Sequence, residues 1–396
     1  MIDILNEARD NRDYIIELRR DFHSYPELSL QEFRTTERIE VELEKFGIKH
    51  KRVSETGVVG ILEGDLKSEN EVALRADIDA LPILEIKGRE YGSNNPGVMH
   101  ACGHDSHTAM LLGAAKILSE HKSTLNGKVR FLFQPAEEIG AGGKIFVNKK
   151  CDTLGKANRI LGIHCAPDLR SGTIGIKKGI NNASVDHFTI KITGKEAHVC
   201  KPEEGVDALY IASQIVVALQ GIVSRMTSPI EPVIIGVGKL EAGTTYNIVA
   251  GLAVLEGTTR NVSDENRKKV NNLINDTAKS IAKLYGGDAI VEWEDFASVL
   301  VNPETGCDEA IKAVRGVFGN DLKIKTDRDI YLSGDDFCEY QKEIEGVYVY
   351  LGTGNPDVPG SENPYHTFDF DIDENALEIG AAIYAGYADW VLNNLD

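Results

Sequence analysis

Within 396 residues that mostly alternate strands with helices, one internal block changes its period. From about residue 183, the stretch Val185–Thr193 (VDHFTIKIT) alternates apolar and polar side chains, as a half-exposed strand does. A helical run follows over Val206–Met226, then strands over Val233–Leu240 and Ala253–Thr259, a helix over about Asp264–Tyr285 and a strand near Ala289–Glu294. The order strand–helix–strand–strand–helix–strand is the split βαβ arrangement, a complete small α+β domain of the ferredoxin-like kind. The flanks read differently. Ile15, Leu18 and Phe22, then Ile39, Leu43 and Phe46, recur at helical spacing. Short strands over Val58–Leu62, Val72–Arg75, Lys128–Phe133 and Ile160–His164 surround a helix over Thr108–Leu118, and the chain closes with a buried strand, Val347–Leu351, and a helix, Glu374–Leu392. Strands alternating with helices predict an α/β core with both sheet faces covered. The expected organisation is a discontinuous catalytic domain, residues 1–182 and 298–396, interrupted by an inserted domain over 183–297.

Composition narrows the function. A net charge of −19 argues against nucleic acid and against anionic membranes, and favours small ligands. No stretch is expected to supply the roughly 18 apolar residues of a membrane helix; the longest candidate, Ala208–Val223, is broken by Ser213, Gln214 and Gln220. The acidic N-terminus lacks the apolar core of a signal peptide. The six cysteines, 102, 151, 165, 200, 307 and 338, are scattered with no CxxC pair, so reduced thiols and a cytoplasmic location are expected.

The chemistry concentrates in His100–His107 (HACGHDSH), which packs three imidazoles, a thiol and a carboxylate between a glycine-rich loop and a helix. Cys102 and His104 have a spacing that suits two metal ligands, yet Cys102 also permits a cysteine nucleophile activated by a histidine. Asp77 and Asp79 follow an apolar strand, where they are either a carboxylate pair on one face or solvated turn residues. Glu137 and Glu138 stand at a strand-to-helix junction. One could ligate metal while the other accepts a proton from water, or both could be an acidic helix start. His164 closes a strand and His366 lies in a loop before the last helix; each alone could be structural. Together with Cys102, His104 and Glu138 they make five donors at strand ends and loops, more than one tetrahedral site holds, which points to a dinuclear centre. The inserted block adds His198, Asn247 and Arg260, the last either a carboxylate clamp or a surface ion pair.

Several marks, specific in combination, carry a resemblance over essentially the whole chain: Arg19–His23 (RRDFH) with Pro26–Leu28, Arg75–Pro82, Met99–His107, Gln134–Glu138, Gly194–His198, Gly257–Arg260, Ser333–Phe337 and Tyr365–Phe368. The chain resembles the metal-dependent amidohydrolases that include aminoacylases, hippurate hydrolases and indole-acetyl-amino-acid hydrolases, relatives of dinuclear zinc carboxypeptidases. The resemblance implies a three-layer metallopeptidase-type catalytic domain with an inserted lid and dimerisation domain. It implies that Cys102, His104, Glu138, His164 and His366 ligate two divalent metal ions per subunit, with Cys102 bridging, and that Glu137 is the general base. It further implies that His198 stabilises the oxyanion from a dimer partner, that Asn247 and Arg260 hold the substrate's carboxylate end, and that Asp79 orients a ligand. Three stretches depart from the usual pattern: Asn247–Ala250 (NIVA), Val199-Cys200 after His198, and Thr367-Phe368 after His366. The expected reaction is hydrolysis of the amide of an N-acyl amino acid by a cytoplasmic homodimer, with zinc, manganese, cobalt or nickel as the metal. A dipeptidase or carboxypeptidase on the same centre, a cysteine hydrolase on Cys102 and a non-catalytic metal-binding protein are the alternatives.

Overall fold

The computed structural model describes residues 3–66 and 68–395, which form two compact units. One comprises the chain up to Asn181, Val301–Asp329 and the residues from Asp336 onward; the other comprises Asn182–Leu300 and Ile330–Asp335.

The first unit is built on an eight-stranded sheet. In spatial order its strands are Lys49–Arg52, Val58–Glu63, Lys128–Gln134, Glu71–Asp77, Arg159–Arg170, Glu345–Gly354, Thr173–Gly175 and Lys323–Lys325. From Lys128–Gln134 to Glu345–Gly354 the neighbours run parallel. Every residue of Glu71–Asp77 is buried, as a parallel strand covered on both faces requires. Helices Arg12–Ser24, His104–Glu120, Glu304–Phe318 and Ala376–Asn394 pack with one another and against the sheet, and the short helices Gly142–Asn148 and Cys338–Gln341 pack together and against its strands. His104–Glu120 is buried along nearly its whole length, which explains why its apolar residues show no single stripe. The architecture is the three-layer α/β fold that the alternation of elements predicts.

The second unit is an antiparallel four-stranded sheet in the order Asp288–Ala297, Ser184–Thr193, Leu252–Asn261, Val233–Ala242. Along Ser184–Thr193, Phe188, Ile190 and Ile192 are buried in a cluster with Ile211, Ile215 and Leu219 of helix Ala208–Gly221 and Val270 and Ile274 of helix Asp264–Leu284. The residues between them stay at least partly exposed, which is the period-two pattern in three dimensions. One sequence expectation needs correction here. The run Ala208–Met226, despite Ser213, Gln214 and Gln220, is long and apolar enough by length and composition to cross a membrane. Its inner residues Ala208, Ile211, Ala212, Ile215 and Leu219 are buried against this sheet, whereas Leu209, Val217 and Met226 stay exposed.

A buried polar hub ties the first unit together near the ends of its strands. Arg75 is almost wholly buried. Its guanidinium donates to Asp77 at 2.6 Å, to Asp336 at 2.8 Å and to the Gln134 side-chain oxygen at 3.0 Å. Replacing one partner of such a set leaves an uncompensated buried charge. Arg75→Met is expected to lower unfolding free energy by about 3–5 kcal/mol, read from urea melts; a change below about 1 kcal/mol would show the hub to be replaceable.

Candidate metal centre

The strand Glu71–Asp77 ends at Asp77, so the continuing strand on which Asp77 and Asp79 would share a face is absent. The alternative of solvated turn residues does not hold either, since both are buried. Gly103 precedes the helix His104–Glu120 at φ +86°, and a Cβ there would lie 2.3 Å from Cys165 Sγ. Only glycine fits this turn, which separates Cys102 from His104 at the helix start. Glu137 and Glu138 lie in the turn between Lys128–Gln134 and Gly142–Asn148, outside any helix, so the acidic-helix-start reading does not hold. His164 is a second correction: the strand does not close there but continues to Arg170, with His164 opposite Tyr350. His366 sits in a turn before the last helix, at φ +62° and about half exposed.

These segments bring the expected donors together. The ligand atoms of Cys102, His104 and His164 lie within 4.8 Å of one another, as do those of Cys102, Glu138 and His366, and those of His104, Glu137 and Glu138. Cys102 is common to the first two groups and Glu138 to the last two. Cys102 Sγ is 3.5 Å from His164 Nε2, His104 Nε2 is 3.8 Å from Glu138 Oε1, and His366 Nε2 is 3.5 Å from Glu138 Oε2. Glu137 Oε2 stands 4.0 Å from His104 Nε2.

The surroundings aim these donors inward. His104 Nδ1 donates to the Asp79 carbonyl at 2.9 Å and lies 3.2 Å from its Oδ1, which turns Nε2 to the cluster. His164 Nδ1 donates to the Cys165 carbonyl at 2.7 Å and likewise turns Nε2 toward Cys102. Such contacts fix the ring and tautomer of a ligating histidine. Asp79 also accepts from Ser29 Oγ at 2.7 Å and from the Glu138 N–H at 3.0 Å, so one carboxylate sets two donors. His104 Nε2 and Glu138 Oε1 are buried and accept or donate no hydrogen bond within the protein. Two buried ligand atoms without a hydrogen bond, facing each other beside a thiol and further carboxylates, fit a divalent cation.

The electrostatics agree. Burial disfavours a charged His104, yet Asp77, Asp79 and Glu138 raise it to about 10, a field built to hold positive charge. Burial, opposed by His104 and reinforced by Asp79 and Asp77, raises Glu138 to about 7. Burial, with Glu138 and Glu137, pushes the Cys102 thiol well above its ordinary value, and burial with His107 pulls His164 well below its own. A thiol raised beside an imidazole lowered is the reverse of a cysteine–histidine nucleophile pair.

The other polar residues of the opening run do different things. His107 donates from Nδ1 to Asp77 at 2.5 Å and accepts the Cys165 N–H on Nε2 at 2.8 Å, pinning the strand next to His164. Asp105 turns to Arg19 at 2.8 Å and His23 at 2.7 Å, which accounts for the motif Arg19–His23. His100 is buried with neither ring nitrogen bonded to protein, and nothing in the structure explains it. The structure adds a pattern that no local motif betrays: buried Asp79 and Glu32, with half-buried Ser29, hold the backbone around Glu137 and Glu138.

His198, Asn247 and Arg260 belong to the second unit. His198 and Asn247 come together there: the Val199 N–H donates to the Asn247 carbonyl at 3.1 Å and His198 bridges to Ile248. His198 is exposed, and its Nδ1 accepts the Cys200 N–H at 3.1 Å, which leaves Nε2–H as an outward donor. Arg260 is on the strand Leu252–Asn261, at the end away from Leu252 and so away from the His198–Asn247 contact; it donates to Thr258 Oγ1 and, at 2.9 Å, to the Thr259 carbonyl. These bonds are not an ion pair, so the surface-salt-bridge reading of Arg260 does not hold among the described residues.

Residues 73–390 match the model of peptidase family M20/M25/M40. A Bacillus subtilis (strain 168) protein named N-acetyl-L-cysteine deacetylase is 39% identical over 366 residues, 92% of this chain and 84% of that protein. Thermostable carboxypeptidase 1 of Saccharolobus solfataricus is 35% identical over 386 residues, 96% of each chain. The crystal structure of the Bacillus subtilis YXEP protein, described as a dinuclear metal binding peptidase from the M20 family, superimposes with a TM-score of 0.83 at 34% identity, covering 98% of this chain and all of that one.

Proposed function

The chain belongs to peptidase family M20/M25/M40 and is a metal-dependent hydrolase, and from that premise we propose that it cleaves the amide of N-acyl amino acids. The observation that carries the reading is the set of overlapping donor groups sharing Cys102 and Glu138, with Glu137 beside them. In this reading Cys102, His104, Glu138, His164 and His366 hold a pair of divalent ions, for which a set of thiol, imidazoles and carboxylate suits zinc, manganese, cobalt or nickel. Such ions, when bound, supply Lewis acidity, lowering the pKa of water towards neutrality and polarising an amide carbonyl.

The chain's own residues do the rest. Glu137 takes the proton of the attacking water and returns it to the leaving nitrogen. His198 Nε2–H donates to the oxyanion, an effect worth roughly 3–4 kcal/mol for a well-placed donor. Arg260 and Asn247 hold the free carboxylate of the amino acid, the guanidinium as a fork. His198 acting in trans requires a homodimer. Exposed Val217 and Leu209 on the second unit's helix and Ile234 and Leu240 on its edge strand offer the apolar surface for one. The reading places the enzyme in the cytoplasm, with neither nucleic acid nor membrane as partner.

A second reading, dipeptidase or carboxypeptidase on the same centre, is favoured by the similarity to a protein named carboxypeptidase. Amino-acid release from acetyl-, benzoyl- and aminoacyl-capped amino acids separates the two. The acylated amino acids are expected to show the higher kcat/KM by at least about tenfold, about 1.4 kcal/mol of transition-state binding. The reverse order would make the chain a peptidase.

A further inference from the structure

Among the described residues only three other than glycine have a positive φ: Leu30 at 63°, Ala136 at 57° and His366 at 62°. L residues avoid this conformation, and it persists only where the surroundings impose it. Two of the three converge on one atom. Oε1 of Glu32 accepts the Leu30 N–H at 2.9 Å and the Ala136 N–H at 2.9 Å. Glu32 occupies the N-cap position of helix Phe33–Lys45 and is wholly buried; its side chain makes no bond to that helix and turns instead to these two N–H groups.

Ala136 immediately precedes Glu137 and Glu138. Its N–H is held by Glu32, and its carbonyl accepts from Ala141 and Gly142, each at 3.1 Å. The Glu138 N–H is held by Asp79. The turn is thus tied down on both sides of Glu137, and its left-handed residue is tied by a carboxylate over a hundred positions earlier in the chain.

We propose that Glu32 is a positioning residue for the hydrolytic base, its Oε1 clamping Ala136 in the left-handed conformation that presents Glu137 to the reacting water. The inference rests on the reading of Glu137 as proton acceptor. Glu32 touches no reacting atom; it acts through the backbone. An alanine released from the clamp relaxes toward negative φ and carries Glu137 with it.

The test uses the full-length, metal-loaded protein and the best acylated amino acid of the panel above. Glu32→Gln keeps an acceptor oxygen and is expected to retain parental kcat. Glu32→Met removes it and is expected to lower kcat about a hundredfold, the order that misplacing a reacting group by about 1 Å costs, with KM and bound metal unchanged. Adding Ala136→Gly to that variant is expected to recover about tenfold, because glycine adopts positive φ without a clamp. A residue that merely supports the fold would change melting temperature without this rescue. If Glu32→Met does not fold, Glu32→Asp, whose oxygen falls one methylene short, carries the same expectation of loss and rescue. A fully active Glu32→Met or Glu32→Asp, or a loss that Ala136→Gly leaves untouched, overturns the inference. Glu137→Gln run alongside separates the two levels. An active Glu137→Gln overturns the assignment of the base, whereas an inactive one beside an active Glu32→Met overturns the clamp alone.

Discussion

Glu137→Gln will fold, bind metal as the parent does and lose about a hundredfold to ten-thousandfold in kcat, the range a positioned general base contributes. The amide has nearly the carboxylate's shape, and the proposed donors Cys102, His104, Glu138, His164 and His366 are untouched. What disappears is the basic oxygen 4.0 Å from His104 Nε2. KM should move little, because Glu137 contributes to the proton transfer and not to holding the acyl amino acid. Steady-state kinetics with metal analysis on the same preparation checks this, and near-parental kcat would remove Glu137 from the mechanism.

Cys102→Ala will lower both bound metal and turnover, the latter by about a thousandfold, as the loss of several kcal/mol of charge stabilisation implies. Cys102 belongs to two donor groups at once, so its removal disturbs both proposed ion positions. Cys102→Asp discriminates further. A carboxylate can still join two cations, so this variant should keep part of the metal and part of the activity. A nucleophilic thiol has no such substitute. An inactive Cys102→Asp that retains full metal would favour the cysteine-hydrolase alternative.

How much of this was legible before the structure follows from where each contact lies in the chain. Cys102 and His104 were readable because they are neighbours in a dense cluster, and Glu137-Glu138 because they follow an apolar strand. His164 and His366 were ambiguous singly and gained meaning only in combination, since one lies within a strand and the other in a turn 202 positions later, and only the fold brings them to the same centre. The inserted block was readable because a half-exposed antiparallel sheet keeps strict alternation. Helix Glu304–Phe318 is absent from the sequence reading although Cys307, Ala310, Val314 and Phe318 of its buried face recur at helical spacing. The end of the strand at Asp77 and the continuation past His164 were misplaced because pairing partners, not local composition, decide them. Most opaque were the supports: Arg75 with Asp336, Asp79 with Glu138 and Ser29, and Glu32 with Ala136. Each joins distant segments through one hydrogen bond and leaves no pattern in either.

The most direct test of a metal-dependent amidohydrolase at this centre is a titration. Protein stripped by chelator is returned to a single divalent metal in steps, and amino acid released from an N-acetyl amino acid is measured at each step, with and without prior thiol alkylation of the loaded form. The account predicts no turnover in stripped protein, recovery that saturates as the centre fills, and protection of Cys102 from alkylation once it is filled. Turnover that survives stripping and is abolished by alkylation would contradict it.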